Sequence, residues 1–218
     1  LKANSERVPN KNRLDFGGVP LYAHTLLKLM AFECYVDTDS PEIKEEIDQQ
    51  YPHVTAYERD DITINAKDAT RALIERFMHE ANVSPFDILV FIKVTAPFSE
   101  IGTVRDAIKA VASGEYDSAF PVTVLHEWLY RRAPVTGQLI PLNSDPRIHS
   151  DSQRLEPLYM KTNAFSVFTP STFVAHGDHG VRPYLVEVSY PENVDIDYPE
   201  DFEQALATLY YLNNKEDT

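Results

Sequence analysis

Along this chain the spacing of apolar residues switches repeatedly between a period near 3.6 and short dense runs, and the switch points predict alternating helices and strands. Pro20 to Ala31 carries Leu21, Leu26, Leu27, Leu29 and Met30, with proline at a helix start where it is tolerated, and predicts a helix. Glu33 to Asp37 predicts a short buried strand, Pro41 to Gln50 a charged surface helix, and His53 to Tyr57 a second strand. Asp68 to Ala81 sets Ala69, Leu73, Ile74, Phe77 and Met78 on one helical face, and the apolar run Phe86 to Val94 predicts a strand between polar boundaries. Ile101 to Ala112 is a further amphipathic helix and Ser118 to Val124 a further strand. This order of strand and helix predicts an α/β fold of three layers, with a mostly parallel sheet covered by helices on both faces.

After Thr123 the rhythm lapses. Trp128 to Arg132 and the proline-rich polar stretch Pro134 to Pro157 contain no helical pattern, so 124–160 is expected to leave the sheet as an excursion. Asn163 to Phe168 and Leu185 to Ser189 return as strands. Pro199 to Leu212 closes the pattern as a helix with Phe202, Ala205, Leu206, Leu209 and Tyr210 inward.

Composition narrows the function. The 218 residues are 43% hydrophobic, which suits one globular domain with a real core. Acidic residues number 34 against 20 basic, giving a net charge of -14, and this argues against nucleic-acid or anionic-membrane partners, which require a broad positive field. No apolar run approaches the roughly 20 residues of a membrane span, and nothing at the start reads as a signal peptide, so a cytoplasmic protein is expected. Cys34 is the sole cysteine, which excludes an intrachain disulfide and a thiolate metal cluster, and its apolar neighbours predict burial.

In so acidic a chain the grouped cations Lys2, Arg7 and Lys11 stand out. They can neutralise anionic oxygens, Asn4, Ser5 and Asn12 can donate hydrogen bonds to them, and Pro9 stiffens the loop that joins them. Phosphate handling is the chemistry this set suits; a solvated turn has a similar composition. The second constellation is Val194 to Phe202. Alternation sets Asp195 and Asp197 on one side of an extended segment, where both can reach one hard cation such as Mg²⁺. The same stretch reads as a helix start, with Asp197 or Tyr198 at the cap, Pro199 in the first turn and Glu200 and Asp201 favoured by the helix dipole. Asp37-Thr38-Asp39 also has the Asp-x-Asp spacing, but Asp39 and Ser40 read better as a cap on the next helix. His176 and His179 lie in a polar segment beside glycines and read as surface residues.

Leu1 to Leu21 resembles the signature of the acylneuraminate-type cytidylyltransferases, A-R-x-x-S-K-x-x-P-x-K-N followed by a Gly-Lys-Pro-Leu-like turn and a helix. Ser5, Pro9, Lys11 and Asn12 match, Lys2 stands for the usual Arg, and Glu6 replaces a usual Lys. Asp195 to Asp201 resembles V-D-I-D-T-P-E-D, whose two first aspartates bind metal. Arg59 ahead of Asp68-Ala69-Thr70 resembles the stretch that holds the cytosine ring, with two extra residues between its halves. Ile92 to Phe98 resembles L-Q-P-T-S-P-L, with Lys93 for Gln, at the carboxyl end of a central strand, where open α/β sheets bind ligands. Tyr159 to Phe165 resembles Y-R-x-N-G-A, with Lys161 for Arg and Ala164 for Gly.

The resemblance implies a nucleotide-diphospho-sugar transferase (Rossmann-like) fold over 1–218, and transfer of CMP from CTP to a keto sugar acid with Mg²⁺ as cofactor. It implies Lys2, Lys11, Asp195 and Asp197 as catalytic residues, Asn4, Ser5, Asn12 and Arg59 on the nucleotide, and Lys93, Lys161 and Asn163 on the sugar acid. It also implies a homodimer formed through 124–160, and a short apolar strand upstream of Leu1. Two other readings stay open: a nucleotide-sugar-dependent glycosyltransferase, favoured by Asp-x-Asp, and a non-catalytic nucleotide-binding protein, favoured by Glu6, Lys93 and the altered Arg59 stretch.

Overall fold

The computed structural model describes residues 1, 7–59, 68–145, 147–148 and 151–216. The first helix, α1 (Leu21–Lys28), follows a turn in which the Phe16 amide donates to the Val19 carbonyl at 2.8 Å. Gly17 stands in that turn at φ +71°, a left-handed conformation that favours glycine, and a β-carbon there would also push aside the end of the Leu209 side chain. Strand β1 (Cys34–Thr38) leads to α2 (Pro41–Gln50), whose start has the expected cap: the Ser40 hydroxyl accepts from the Ile43 amide at 3.2 Å. Strand β2 (Val54–Glu58) pairs parallel with β1, Cys34 opposite Val54.

Helix α3 (Ala69–Glu80), capped by Asp68, precedes β3 (Leu89–Ile92), and α4 (Ile101–Ala112) precedes β4 (Ser118–Leu125). β5 (Tyr130–Arg132) and β6 (Leu139–Pro141) form a hairpin, and β7 (Leu158–Lys161) and β8 (Phe165–Phe168) return to the sheet. A short helix α5 (Pro170–His176), β9 (Pro183–Glu187) and α6 (Pro199–Glu216) complete the order.

Helices cover both faces of the strands. On β3 and β8, Val90, Ile92, Phe165 and Val167 pack with Val104, Ala107 and Val111 of α4. The alternate residues Leu89, Phe91 and Phe168 pack on the other face with Ile74 of α3 and Phe173 of α5. β1 shows the same division: Cys34 and Val36 join Tyr22, Leu26, Ile43 and Ile47 of α1 and α2, while the Tyr35 ring meets Phe77 of α3. Cys34 is buried as its neighbours predict, and burial raises its thiol pKa.

The sheet is mixed, which corrects the expectation of a mostly parallel one. In the five-stranded sheet β3 with β8, β8 with β4, and β4 with β7 all pair antiparallel and only β4 with β9 pairs parallel, while β1 and β2 form a separate parallel pair among the described residues. The reason lies in the connection after β4. A parallel return needs a long crossover, usually a helix, and the described residues of 126–157 form a hairpin, a 3₁₀ turn (Ser152–Arg154) and loops instead, so the chain re-enters in the opposite sense.

β4 has eight residues, long enough to be shared along one edge. β8 pairs with Ser118 and Ala119, and β7 with Val122 to Leu125. Between them the chain breaks step at Thr162 to Ala164, and this irregular stretch lies beside the carboxyl end of β3, where the Lys93 amide donates to the Ala164 carbonyl at 2.9 Å.

Among the described residues no helix is long and apolar enough to cross a membrane.

Candidate active site

The site gathers around residues 194–197. Ile196 is fully buried among Phe16, Leu21, Phe98 and Ala205, and burial of such a side chain stabilises by roughly 2–3 kcal/mol. This apolar anchor fixes the backbone between the two carboxylates that flank it. The Ile196 amide donates to the Thr95 carbonyl at 2.8 Å, which ties the segment to the turn after β3. Asp195 accepts the Thr95 hydroxyl at 2.5 Å, and it lines a cavity of about 160 Å³ with Tyr190, Gln204 and Thr208. Asp197 is half exposed and faces two cations, Arg7 at 3.3 Å and Lys11 at 3.8 Å. The Arg7 guanidinium also lies over the Tyr198 ring, 4.8 Å from its centre.

The competing reading of this stretch as a helix start holds as well, and the residues divide between the two. The Asp201 carboxylate accepts the Asp197 amide at 2.9 Å and the Tyr198 amide at 2.7 Å, so it reaches back over the first turn of α6 as a cap. Asp201 therefore serves the helix, whereas Asp195 and Asp197 have other partners, Thr95 for the first and Arg7 and Lys11 for the second.

Lys11 belongs to a 3₁₀ turn (Lys11–Arg13) that follows Asn10 in the left-handed conformation, φ 53°. Its side chain is buried, and the ammonium donates to the Ile196 carbonyl. Burial pulls its pKa below the usual lysine value; Asp197 and Asp195 oppose that shift, while Arg7 and Lys93 add to it. Lys11, Arg7, Lys93, Asp195 and Asp197 thus share one electrostatic neighbourhood. Asn12 is buried beside Lys11. Lys2, Asn4 and Ser5 lie outside the described residues.

The sugar-side candidates separate into two groups. The Lys93 backbone is tied to the break between β7 and β8 by the Lys93–Ala164 hydrogen bond, next in the chain to the exposed Asn163. Lys161 turns to a cluster of its own: its ammonium lies 2.7 Å from Asp178 and 3.2 Å from the His179 ring, over Phe120 at 4.6 Å. The Ser166 hydroxyl also donates to Asp178 at 2.8 Å. Burial works against the charged carboxylate, yet the donors Lys161 and Ser166 outweigh it and leave the Asp178 pKa below the ordinary value. His179 is exposed as expected, although it is engaged with this cluster; His176 ends α5 on the surface. Arg59 is bound to Asp37 in a buried ion pair at the carboxyl ends of β1 and β2, with Arg76 3.8 Å from the same carboxylate.

Sequence reasoning gave no role to Thr95 or Asp178. Thr95 stands inside a segment singled out by its motif, but its partner is 100 residues away and no local pattern announces the pairing. Asp178 sits among glycine, histidine and aspartate, a composition that reads as a solvated loop.

Chemically, the arrangement sets a buried cation and an exposed one against two carboxylates at the end of a central strand. Among the described residues no three carboxylate, imidazole or thiol groups converge as a closed metal cage. A carboxylate pair is what Mg²⁺ uses when phosphate oxygens and water fill its other positions, so the donor set fits that ion.

The model of the cytidylyltransferase family matches residues 2–215. The CMP-N,N'-diacetyllegionaminic acid synthase of Legionella pneumophila subsp. pneumophila is 25% identical over 213 residues, covering 92% of this chain and 90% of that protein. Among solved structures, a CMP:2-keto-3-deoxy-manno-octonic acid synthetase complexed with CTP is similar with a TM-score of 0.68 at 14% identity, over 97% of this chain and 96% of that one. A 4-diphosphocytidyl-2C-methyl-D-erythritol synthase from Anaerococcus prevotii is similar with a TM-score of 0.64 at 12% identity, over 96% and 95%. At these identities the two structures speak for the fold.

Proposed function

The chain belongs to the cytidylyltransferase family, and on that premise we propose that it transfers CMP from CTP to a keto sugar acid, such as a nonulosonic acid, and releases pyrophosphate. The observation that carries the reading is the convergence of Lys11, from the N-terminal motif, with Asp195 and Asp197, from the C-terminal one, over 184 and more residues of chain. The name of the 25% identical relative supports a nonulosonic acid as acceptor.

In the reaction a sugar-acid hydroxyl attacks the α-phosphorus of CTP. A new oxygen–phosphorus bond forms, the bond from the α-phosphorus to the oxygen bridging to the β-phosphate breaks, pyrophosphate leaves with that oxygen, and the hydroxyl proton is released to water. Two polyanions repel each other, so the site must neutralise both before they meet in line. Lys11 and Arg7 supply fixed positive charge for the triphosphate, with Lys2, Asn4, Ser5 and Asn12 as the other candidate contacts of that loop. Lys93 offers a cation to the acceptor's carboxylate beside Asn163, and Lys161 a second one once it is shared with Asp178. Arg59, anchored by Asp37, is the candidate contact for the base. Asp195 and Asp197 would hold Mg²⁺, which supplies charge neutralisation at phosphate oxygens. In the free protein Asp197 is balanced by Lys11 and Arg7, so nucleotide binding exchanges those partners: the cations turn to phosphate.

The same proposal makes 1–218 one catalytic domain. It joins two copies through 124–160, where Trp128, Tyr130, Leu139 and Leu142 are exposed apolar side chains on or beside the hairpin. The reaction draws on a CTP pool, proposed to be the cytoplasmic one.

The test is pyrophosphate release by the purified protein with Mg²⁺ and each of CTP, UTP, ATP and GTP, against a panel of nonulosonic and octulosonic acids. A CTP-specific signal with one acid is the expected result. Tight CTP binding with no turnover on any acid would overturn the reading in favour of a nucleotide-binding protein without catalysis.

A further inference from the structure

Asp195 is the one carboxylate of the pair that is held by a neutral donor, and the donor comes from the other motif. The chain leaves β3 in a turn, with the Ala96 amide donating to Lys93 and the Ser99 amide to Ala96, both at 3.3 Å, and with Ala96 and Phe98 buried. Thr95 projects from this rigid stretch and grips the opposite segment at two points. Its carbonyl accepts the Ile196 amide at 2.8 Å and its hydroxyl donates to Asp195 Oδ1 at 2.5 Å. The β-branched side chain has restricted rotation, so the hydroxyl direction is fixed by the backbone. The grip occupies one oxygen of Asp195 and leaves the other to a ligand.

We infer that Thr95 is a positioning residue that orients Asp195 toward the metal–triphosphate complex. The inference rests on the nucleotidyl transfer proposed above. A carboxylate that ligates a metal through one oxygen is free to rotate unless something holds the other, and removing such a supporting hydrogen bond lowers metal affinity about 10–100-fold. Ile196, buried beside it, fixes the backbone but not the rotation of the neighbouring carboxylate. Thr95 supplies that missing restraint and ties the metal-side segment to the strand end that carries Lys93.

The test separates the hydroxyl from the backbone grip. Thr95→Val keeps the branched shape and the carbonyl that receives the Ile196 amide, and removes only the hydroxyl; Thr95→Ser restores it. CTP binding is measured by calorimetry with no sugar acid present, in EDTA and in Mg²⁺, and the gain in affinity caused by Mg²⁺ is compared across variants. The expected result is a gain about tenfold smaller in Thr95→Val, with unchanged affinity in EDTA, and a gain near wild type in Thr95→Ser. A wild-type gain in Thr95→Val overturns the inference, and so does an equal loss with and without Mg²⁺, since that marks a structural bond only. Asp195→Asn divides the two levels of the argument. If it abolishes the gain while Thr95→Val does not, Thr95 alone loses its role; if it leaves the gain intact, the metal assignment of Asp195 falls and the inference with it.

Discussion

Replacing Lys11 by methionine should nearly abolish activity while leaving stability almost unchanged. On the functional side, a unit charge about 4 Å from a developing phosphoryl charge contributes about 4 kcal/mol at an effective dielectric constant near 20. Lys11 is buried, so water cannot replace it, and its loss should lower kcat/KM about 10³-fold. On the stability side two effects oppose each other. Methionine removes the cost of holding a buried ammonium, the same burial that lowers the Lys11 pKa. It also deprives the Ile196 carbonyl of its donor, at a cost of about 1–3 kcal/mol. Asp197 keeps Arg7 at 3.3 Å and is half exposed, so it is not stranded. The balance should lie within about 1 kcal/mol of the native protein, or about 2–4 °C in Tm for a chain of this size. Pyrophosphate release under kcat/KM conditions and a thermal melt of the same preparation give both numbers. A variant that retains activity within tenfold of wild type would show that Lys11 does not face the triphosphate, and a Tm drop beyond about 10 °C would assign it to the structure instead.

Alkaline pH should weaken CTP binding at a pH below 10.5, the ordinary lysine value, because burial makes the free Lys11 lose its proton early. In Lys11→Met the limb should vanish, and a titration of CTP affinity against pH reads it directly; an identical limb in both proteins refutes the assignment. Asp178 works at the acid end. Its folded pKa lies below the 3.8 of a free aspartate, so its contribution is fully present above 3.8 and is lost as pH falls through the lower folded value. Asp178→Asn should therefore flatten the acid side of a stability–pH curve below 3.8, and an unaltered curve would mean that the Lys161–Asp178 contact has no consequence in solution. Arg59→Met should cost about 3 kcal/mol, or about 6–12 °C in Tm, because it strands Asp37 in a buried pair, with Arg76 at 3.8 Å as partial relief. No change in the melt would show the pair to be solvated.

The sequence makes visible what is decided within a few residues. Helix α3 appears within a residue of each predicted end because its apolar stripe, its Asp68 cap and the turn after it are all local. α2 is legible for the same reason, through Ser40 and Pro41. Helix α5 was missed although Thr169-Pro170 is a cap followed by proline, since seven residues are too few for a periodic stripe to declare itself. Strand direction is hidden for a different reason. Phe165 to Phe168 is mostly apolar in a way that suits either sense, and only the lack of an α-helical crossover among the described residues of 126–157 bears on it.

The site follows the same division between local and distant causes. Asp195 and Asp197 stand out as candidates through period-two alternation, a fact of three adjacent residues, and the fold adds that Ile196 between them is buried. The sequence offers Asp197 or Tyr198 as the cap and gives Asp201 to the helix dipole; in the structure it is the Asp201 carboxylate that caps, by accepting the Asp197 and Tyr198 amides. Lys161 facing Asp178, Arg59 held by Asp37, and Thr95 holding Asp195 were not legible, because each pairs side chains brought together by the folded sheet. These long-range partners decide how far each charge is free to meet a ligand. Lys93, engaged through its backbone at the strand break, and Lys161, bound to a carboxylate, look alike in the sequence, but the fold gives them different surroundings: among the described residues Lys93 has no ion-pair partner, whereas Lys161 would meet an anion only by sharing with or displacing Asp178.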